Sequence, residues 1–121
     1  MDWKLTGDRP IWLQLKEQIT QRIILGEYPM GSRLPTVREL ATEAGVNPNT
    51  MQRALAELER TGLVYTQRTA GRFVTEDAAV VDSAKQELAH QQIGAFLHRM
   101  ERMGYDREQT AQLVRSWEED A

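Results

Sequence analysis

Residues 46–62 read VNPNTMQRALAELERTG. Within this stretch Asn47 is a favourable N-cap, and Pro48 suits the first helical position because its missing N–H would be unpaired there anyway. Gly62 can adopt the left-handed conformation that ends many helices. The stretch therefore predicts one helix whose two ends are both defined by the sequence.

The predicted helix has two chemically different faces. A buried face is expected from the i, i+3, i+4, i+7 spacing of Met51, Ala54, Leu55 and Leu58. The opposite face gathers Asn49, Gln52, Arg53, Ala56 and Arg60. Amide and guanidinium groups bond base edges and phosphates in DNA, although most polar helix faces are only solvated. The helix alone leaves both interpretations open.

A shorter helix is predicted immediately before it. Thr36, followed three residues later by Glu39, has the spacing of a capping box. Its inner face is expected to consist of Val37, Leu40, Ala41 and Ala44, and Gly45 ends it. Since Gly45 and Val46 form a tight connection to the next helix, the pair has the helix-turn-helix arrangement, in which the second helix enters the major groove.

After Gly62 the pattern changes from helical to β. Residues 63–66 and 72–75 predict two strands, and the polar residues 67–71 predict the turn between them. A hairpin directly after a recognition helix is a wing. Arg68 and Arg72 flank its tip, where a phosphate backbone or a minor groove would run.

The residues before the helix-turn-helix predict an arm and one more helix. Residues 1–9 lack periodicity. From Pro10 onward an apolar face repeats every four residues, with Ile11, Leu15, Ile19 and Ile23. The solvent side is predicted to carry Lys16, Glu17, Gln18, Gln21 and Arg22. Trp12 is interpreted as core or dimer packing, and residues 26–35 as a connector with a one- or two-residue strand at Arg33 and Leu34.

The C-terminal third predicts a helical hairpin. A long helix is expected from Asp82 or Ser83 to Gly104, and a last helix is capped by Asp106 with Gln109 as its box partner. The apolar residues assigned to dimerisation are Leu88, Ile93, Phe96, Leu97, Met100, Met103, Leu113, Val114 and Trp117. Two helices are too small to bury so much apolar surface, so we expect a second copy of the chain to cover it.

Length, charge and cysteine content limit the function classes. The 121 residues suffice for one small domain with an appended segment, and there is no cysteine. No apolar run has the length of a membrane span or a signal peptide, so we expect a cytoplasmic protein. Residues 1–76 carry ten Lys/Arg and nine Asp/Glu (+1), whereas residues 77–121 carry five and nine (−4), which gives the net charge of −3. The acidity therefore lies in the C-terminal third.

The sequence shows no pattern of an enzyme or a metal site. His90 and His98 are eight positions apart with Gly94 between them, so they lack the i, i+4 spacing that chelates a metal. The acidic pairs lie on predicted helix surfaces or at the terminus, and no nucleophile or phosphate-cradling motif is present. We expect neither catalysis nor a cofactor.

Taken together, these motifs resemble the GntR family of bacterial winged-helix transcription regulators, and the short tail resembles its YtrA-type subfamily. The resemblance rests on residues 34–41 (LPTVRELA), 46–54 (VNPNTMQRA), 58–59 (LE), 62–63 (GL) and 71–74 (GRFV). Thr36 stands where the family usually has Ser and keeps the capping chemistry. Thr69 stands where the wing commonly carries the first glycine of Arg-Gly-x-Gly, a change that alters the backbone available at the tip.

The resemblance implies a homodimer that binds an inverted-repeat operator on double-stranded DNA, usually as a repressor. Arg38 is similar to the family's phosphate or base contact, and Gly71 to its wing glycine. The complete set of candidate DNA-binding residues is Thr36, Arg38, Asn47, Asn49, Thr50, Gln52, Arg53, Arg68, Gly71 and Arg72.

The expected architecture is mainly α with a small β-hairpin. It comprises an arm (residues 1–9), a winged helix-turn-helix domain (10–76) and a two-helix dimerisation segment (77–121). Two other functions remain open at this point. One is a winged-helix protein-interaction module without strong DNA affinity, and the other is an adaptor that senses a small-molecule effector at the dimer seam.

Overall fold

The computed structural model describes residues 2–119. Its elements, in chain order, are α1 (Ile11–Ile24), α2 (Val37–Ala44), α3 (Pro48–Arg60), β1 (Val64–Gln67), β2 (Gly71–Val74), α4 (Ala78–Arg102) and α5 (Arg107–Ser116). The expected fold class, mainly α with one small hairpin, is confirmed. None of these helices is both long and apolar enough to cross a membrane.

The chain divides into two compact units between Lys85 and Gln86. This division falls later than the boundary expected after Glu76. The reason lies in the first turns of α4, where Val80, Val81 and Ala84 pack against the core of the first unit.

The core of the first unit joins α1, α2, α3 and the hairpin. Its most deeply buried apolar side chains are Leu15, Ile19, Leu40, Met51, Ala54, Leu55, Leu58, Leu63, Val64 and Val74. All four residues predicted for the inner face of α3 are among them. Each is at most 1% exposed, so α3 is held firmly on one side while its other side faces solvent.

The ends of α2 and α3 follow the local chemistry of the sequence. The Thr36 hydroxyl accepts a hydrogen bond from the Glu39 N–H, and the Thr36 N–H donates to the Glu39 carboxylate, both at 3.1 Å. Gly45 ends α2 with a φ of 70°. Asn47 caps α3 by accepting a hydrogen bond from the Asn49 N–H at 2.8 Å. The predicted capping box, N-cap and turn are therefore confirmed.

The hairpin is antiparallel, with Val64 opposite Val74 and Gln67 opposite Gly71. Both strands begin and end within one residue of the predicted limits. Arg33 forms an isolated bridge with Phe73, and the Leu34 N–H donates to the Arg72 carbonyl at 2.8 Å. The short extended segment expected at Arg33 and Leu34 thus adds to the edge of the hairpin.

Two glutamines of α1 attach the N-terminal arm to that helix. The Gln14 carboxamide accepts from the Thr6 N–H and donates to the carbonyls of Thr6 and Arg9, all at 2.8 Å. The Gln18 carboxamide bonds both the N–H and the carbonyl of Lys4, at 3.0 and 2.7 Å. The arm is therefore ordered along α1 although it has no regular secondary structure of its own.

The prediction that Arg22 lies on the solvent side of α1 is wrong. Arg22 is only 3% exposed, and its guanidinium lies 3.8 Å from the centre of the Trp3 ring. It also bonds the Tyr28 hydroxyl at 3.3 Å and the Glu43 carboxylate at 3.4 Å. The helical period could not foresee this burial, because the arm and α2 supply the groups that cover the side chain.

Helix α4 begins at Ala78 rather than at Asp82 or Ser83, so that expectation is corrected as well. The Asp77 carboxylate accepts from the Ala79 N–H at 2.9 Å, and the Asp77 N–H donates to the Thr75 hydroxyl at 3.1 Å. These bonds, together with the packing of the half-buried Val80 and Val81 against the core, start α4 before Asp82.

The second unit, described by itself, buries very little. Thr110 is buried, whereas α4 contains no buried residue. Asp106 caps α5 and forms the predicted box with Gln109, through hydrogen bonds of 2.8 and 2.9 Å. Large apolar side chains stay exposed in the two helices and directly after each of them: Ile93 by 57%, Met103 by 64%, Val114 by 56% and Trp117 by 70%.

Candidate nucleic-acid interface

The outer face of α3 carries the polar groups selected from the sequence. Asn49, Gln52 and Arg53 are exposed, and Thr50 is half-buried. Positions 49, 52 and 53 are related by three and four residues, so they share one side of the helix. Because the other side is packed into the core, these groups are presented on a rigid support.

The Asn47 side chain caps the N-terminal end of α3. Its oxygen accepts the hydrogen bond that caps the helix, while its amide nitrogen takes no part in the cap. The N-terminal end of a recognition helix is also where base contacts concentrate. The Asn47 side chain therefore defines where α3 begins, and its role as a DNA contact stays a prediction.

The start of α2 combines a cap with an exposed cation. Hydrogen bonds from the Thr36 N–H and hydroxyl hold the pKa of the Glu39 carboxyl below its usual value. The Thr36 hydroxyl is thus occupied within the helix cap. Arg38, two positions further on, is exposed and extends the basic surface of the helix-turn-helix.

The wing has a glycine that both backbone and packing require. Gly71 has a φ of 105°, and a Cβ added there would lie 3.1 Å from the Nε of Arg33. The Arg33 guanidinium therefore lies beside Gly71, next to the turn at the tip of the wing. Arg33 is not among the predicted DNA-binding residues, and its place in the arginine-rich stretch 33–72 was the only sequence signal for it. Arg68, in the turn at the tip, is exposed.

Arg72 joins the wing to α3. Its Nε donates to the Glu59 carboxylate at 2.6 Å, and the Thr66 hydroxyl donates to the same carboxylate oxygen. Burial alone would raise the pKa of Glu59, but the hydrogen bonds from Thr66 and Arg72 outweigh it, and the pKa is lowered. Arg72, selected as a DNA contact, thus has a carboxylate partner inside the protein.

The arginines of the stretch 33–72 fall into distinct groups within the described residues. Arg60 is paired with Glu57, and Arg72 with Glu59. The Arg53 guanidinium lies 4.3 Å from the centre of the Trp12 ring, an uncharged partner. Arg33, Arg38 and Arg68 are exposed. The positive charge open to an anion therefore comes mainly from Arg33, Arg38, Arg53 and Arg68.

We expect Glu59→Gln to lower the free energy of unfolding at pH 7 by about 0.5–1 kcal/mol, a small effect because the Glu59 side chain is 32% exposed. A carboxyl whose pKa is lowered by folding stabilises the protein above its unfolded pKa, about 4.3, and this contribution is lost as the pH falls through the folded pKa. Urea denaturation at several pH values should therefore show the difference shrinking below about pH 4.

Glu76→Gln is the matched control for this variant, since Glu76 is an exposed carboxylate in the same unit. It should change the unfolding free energy little at either pH. A Glu59→Gln deficit that is equally large at acid and neutral pH would show that the carboxylate charge is not what ties the wing to α3.

The histidines and acidic residues form no metal-binding cluster in the part of the chain that the structure describes. His90 and His98 are exposed on α4. Among residues 2–119 no group of three or more His, Cys, Asp or Glu side chains is placed to hold a metal ion.

Comparison with known proteins identifies the family. A family model described as bacterial regulatory proteins, gntR family, matches residues 12–74. The uncharacterized HTH-type transcriptional regulator YhcF of Bacillus subtilis is 37% identical over 119 residues, which cover 98% of each chain. The HTH-type transcriptional repressor YtrA of the same organism is 42% identical over 69 residues, 57% of this chain and 53% of that protein.

Solved structures agree with this assignment. A GntR family transcriptional regulator from Listeria monocytogenes superposes with a TM-score of 0.80 at 37% identity, covering 94% of this chain and all of that one. The AraR DNA-binding domain in complex with operator ORX1 superposes with a TM-score of 0.53 at 27% identity, over 62% of this chain and 99% of that one. The chain therefore belongs to the gntR family of bacterial regulatory proteins and is a winged-helix transcriptional regulator.

Proposed function

We propose that the protein is a homodimeric repressor that binds an inverted-repeat operator in double-stranded DNA. The observation that carries the proposal is the outer face of α3, where Asn49 and Gln52 stand exposed on a helix whose inner face is fully buried. Amide side chains of this kind bond adenine edges in the major groove. Each α3 would read one half-site.

The proposed phosphate contacts come from the exposed arginines around α3. Arg38 lies in the first turn of α2, and Arg68 lies at the tip of the wing. Their guanidinium groups suit phosphate oxygens, which orient a protein on the duplex without reading sequence. These exposed cations support DNA binding despite a net charge of −3, because counterion release depends on the groups that touch the backbone.

The homodimer is proposed from the second unit. Its exposed apolar side chains include Ile93, Met103, Val114 and Trp117, and such a set is costly to leave in water. A second copy of the same two helices would cover it symmetrically. The dimer would then place two α3 helices about 34 Å apart, one turn of DNA. The short tail also supports the YtrA-like subfamily, and the relative YtrA is named a repressor.

Fluorescence anisotropy with a labelled duplex from the promoter of the protein's own operon tests the proposal. We expect the promoter duplex to bind at least about 10³-fold more tightly than a scrambled duplex at physiological salt. Sedimentation of the free protein should give a dimer. Equal, weak affinity for both duplexes would instead favour a winged-helix protein-interaction module.

A further inference from the structure

The contact between Trp12 and Arg53 joins the recognition helix to α1. Trp12 is the second residue of α1 and is half-buried, whereas Arg53 is exposed on α3, one turn after Asn49. The Arg53 Cζ lies 4.3 Å from the centre of the Trp12 ring, which is the distance of a cation–π contact. This contact holds an exposed arginine beside the proposed base-reading groups.

The partner of Arg53 differs in kind from those of its neighbours. Arg60 and Arg72 donate to the carboxylates of Glu57 and Glu59, so their charges are compensated inside the protein. An indole ring orients a guanidinium but carries no charge. The Glu57 carboxylate accepts its hydrogen bond from the Arg60 Nε, at 2.9 Å, and not from Arg53. Arg53 therefore keeps a positive charge that an external anion can use.

The stacked arrangement also leaves hydrogen-bond donors at the edge of the guanidinium. A guanidinium is planar, and it stacks through its face while its N–H groups point outward in its own plane. Arg53 can thus bond a phosphate oxygen without leaving the Trp12 ring. Because the ring restricts a long and otherwise mobile side chain, less conformational entropy is lost when the bond forms.

We propose that Trp12 is a positioning residue for DNA binding, which holds Arg53 against α1 so that its guanidinium bonds a backbone phosphate beside the proposed bases. The inference rests on the proposed DNA-binding function and adds to it a residue outside the helix-turn-helix. A phosphate is the partner we assign because Arg53 lies toward α1, at the flank of α3, whereas base contacts concentrate at the N-terminal end of a recognition helix.

A double-mutant cycle on the full chain tests this inference, with Trp12→Leu, Arg53→Gln and the double variant. We expect Arg53→Gln to weaken binding to promoter and scrambled duplexes by a similar factor and to reduce the salt slope by about one. Trp12→Leu alone should weaken binding about two- to fivefold. In the Arg53→Gln background Trp12→Leu should have no further effect, and Trp12→Phe should restore part of the affinity.

The chain offers a matched control in Trp3, whose ring also stacks on an arginine, Arg22, at 3.8 Å. In this second pair Arg22 is buried and Trp3 is half-buried, and both also bond the Glu43 carboxylate of α2. Trp3→Leu should therefore lower the melting temperature while leaving the salt slope of DNA binding unchanged. Melting curves of every variant, and Trp12→Phe as a variant that keeps an aromatic ring, separate loss of positioning from loss of fold.

The outcomes separate the two proposals. If Trp12→Leu costs the same affinity with and without Arg53, or costs none, the positioning role is refuted. A loss confined to the promoter duplex would refute the phosphate assignment. If the wild type binds no duplex at any salt concentration, the proposed DNA-binding function fails and this inference fails with it.

Discussion

A chain that ends at Lys85 should bind the operator about 10²- to 10⁴-fold more weakly than the full chain. The proposed dimer makes the second half-site contact intramolecular, and removing α5 with most of α4 would eliminate that advantage. Each separate first unit would keep only the affinity of one α3. The loss should appear in anisotropy titrations as a weaker and less steep binding curve.

The position of the cut matters because α4 begins inside the first unit. Val80, Val81 and Ala84 pack against the core, so a chain ending at Lys85 keeps its apolar contacts. We expect it to melt cooperatively and to sediment as a monomer. A chain ending at Glu76 is the informative comparison, since it lacks those three side chains and should be less stable. A Lys85-terminated chain that still sediments as a dimer would contradict the assignment of dimerisation to the second unit.

The second large effect is expected at the outer face of α3. Asn49→Ala and Gln52→Ala should each weaken operator binding by about 1–3 kcal/mol while barely changing affinity for scrambled DNA. Both side chains are exposed, so their removal leaves no cavity and should not change the melting temperature much. Anisotropy with the promoter and scrambled duplexes measures the two affinities side by side.

Gln21→Ala is the matched control for these substitutions. Gln21 is also an exposed glutamine in a helix, but it lies on α1 near its C-terminal end. Its loss should leave both affinities unchanged. If Asn49→Ala and Gln52→Ala reduced binding to promoter and scrambled duplexes equally, the two residues would be contacting phosphates, and base reading would have to be assigned elsewhere.

The sequence by itself determined the features that depend on residues close together in the chain. The capping box of Thr36 and Glu39, the cap at Asn47 and the turn at Gly45 each involve groups within a few positions of one another, so local chemistry specifies them. The buried face of α3 follows from the helical period and was predicted in full. The order of the elements and the family motifs could be predicted for the same reason, since they too depend on residues close together in the chain.

Only the tertiary structure decided which partner each arginine takes. Arg22 meets Trp3 and Glu43, Arg72 meets Glu59, and Arg53 meets Trp12.

Arg72 lies 13 positions from Glu59 in the chain, and Arg53 lies 41 positions from Trp12. Arg22 is separated from Trp3 and from Glu43 by distances between these two. The early start of α4 also depends on tertiary structure, because Val80 and Val81 in its first turn pack against the core of the first unit. The sequence shows where a positively charged side chain stands in the chain. Only the folded structure decides whether a carboxylate compensates its charge, the N-terminal arm buries it, or an aromatic ring orients it toward a ligand.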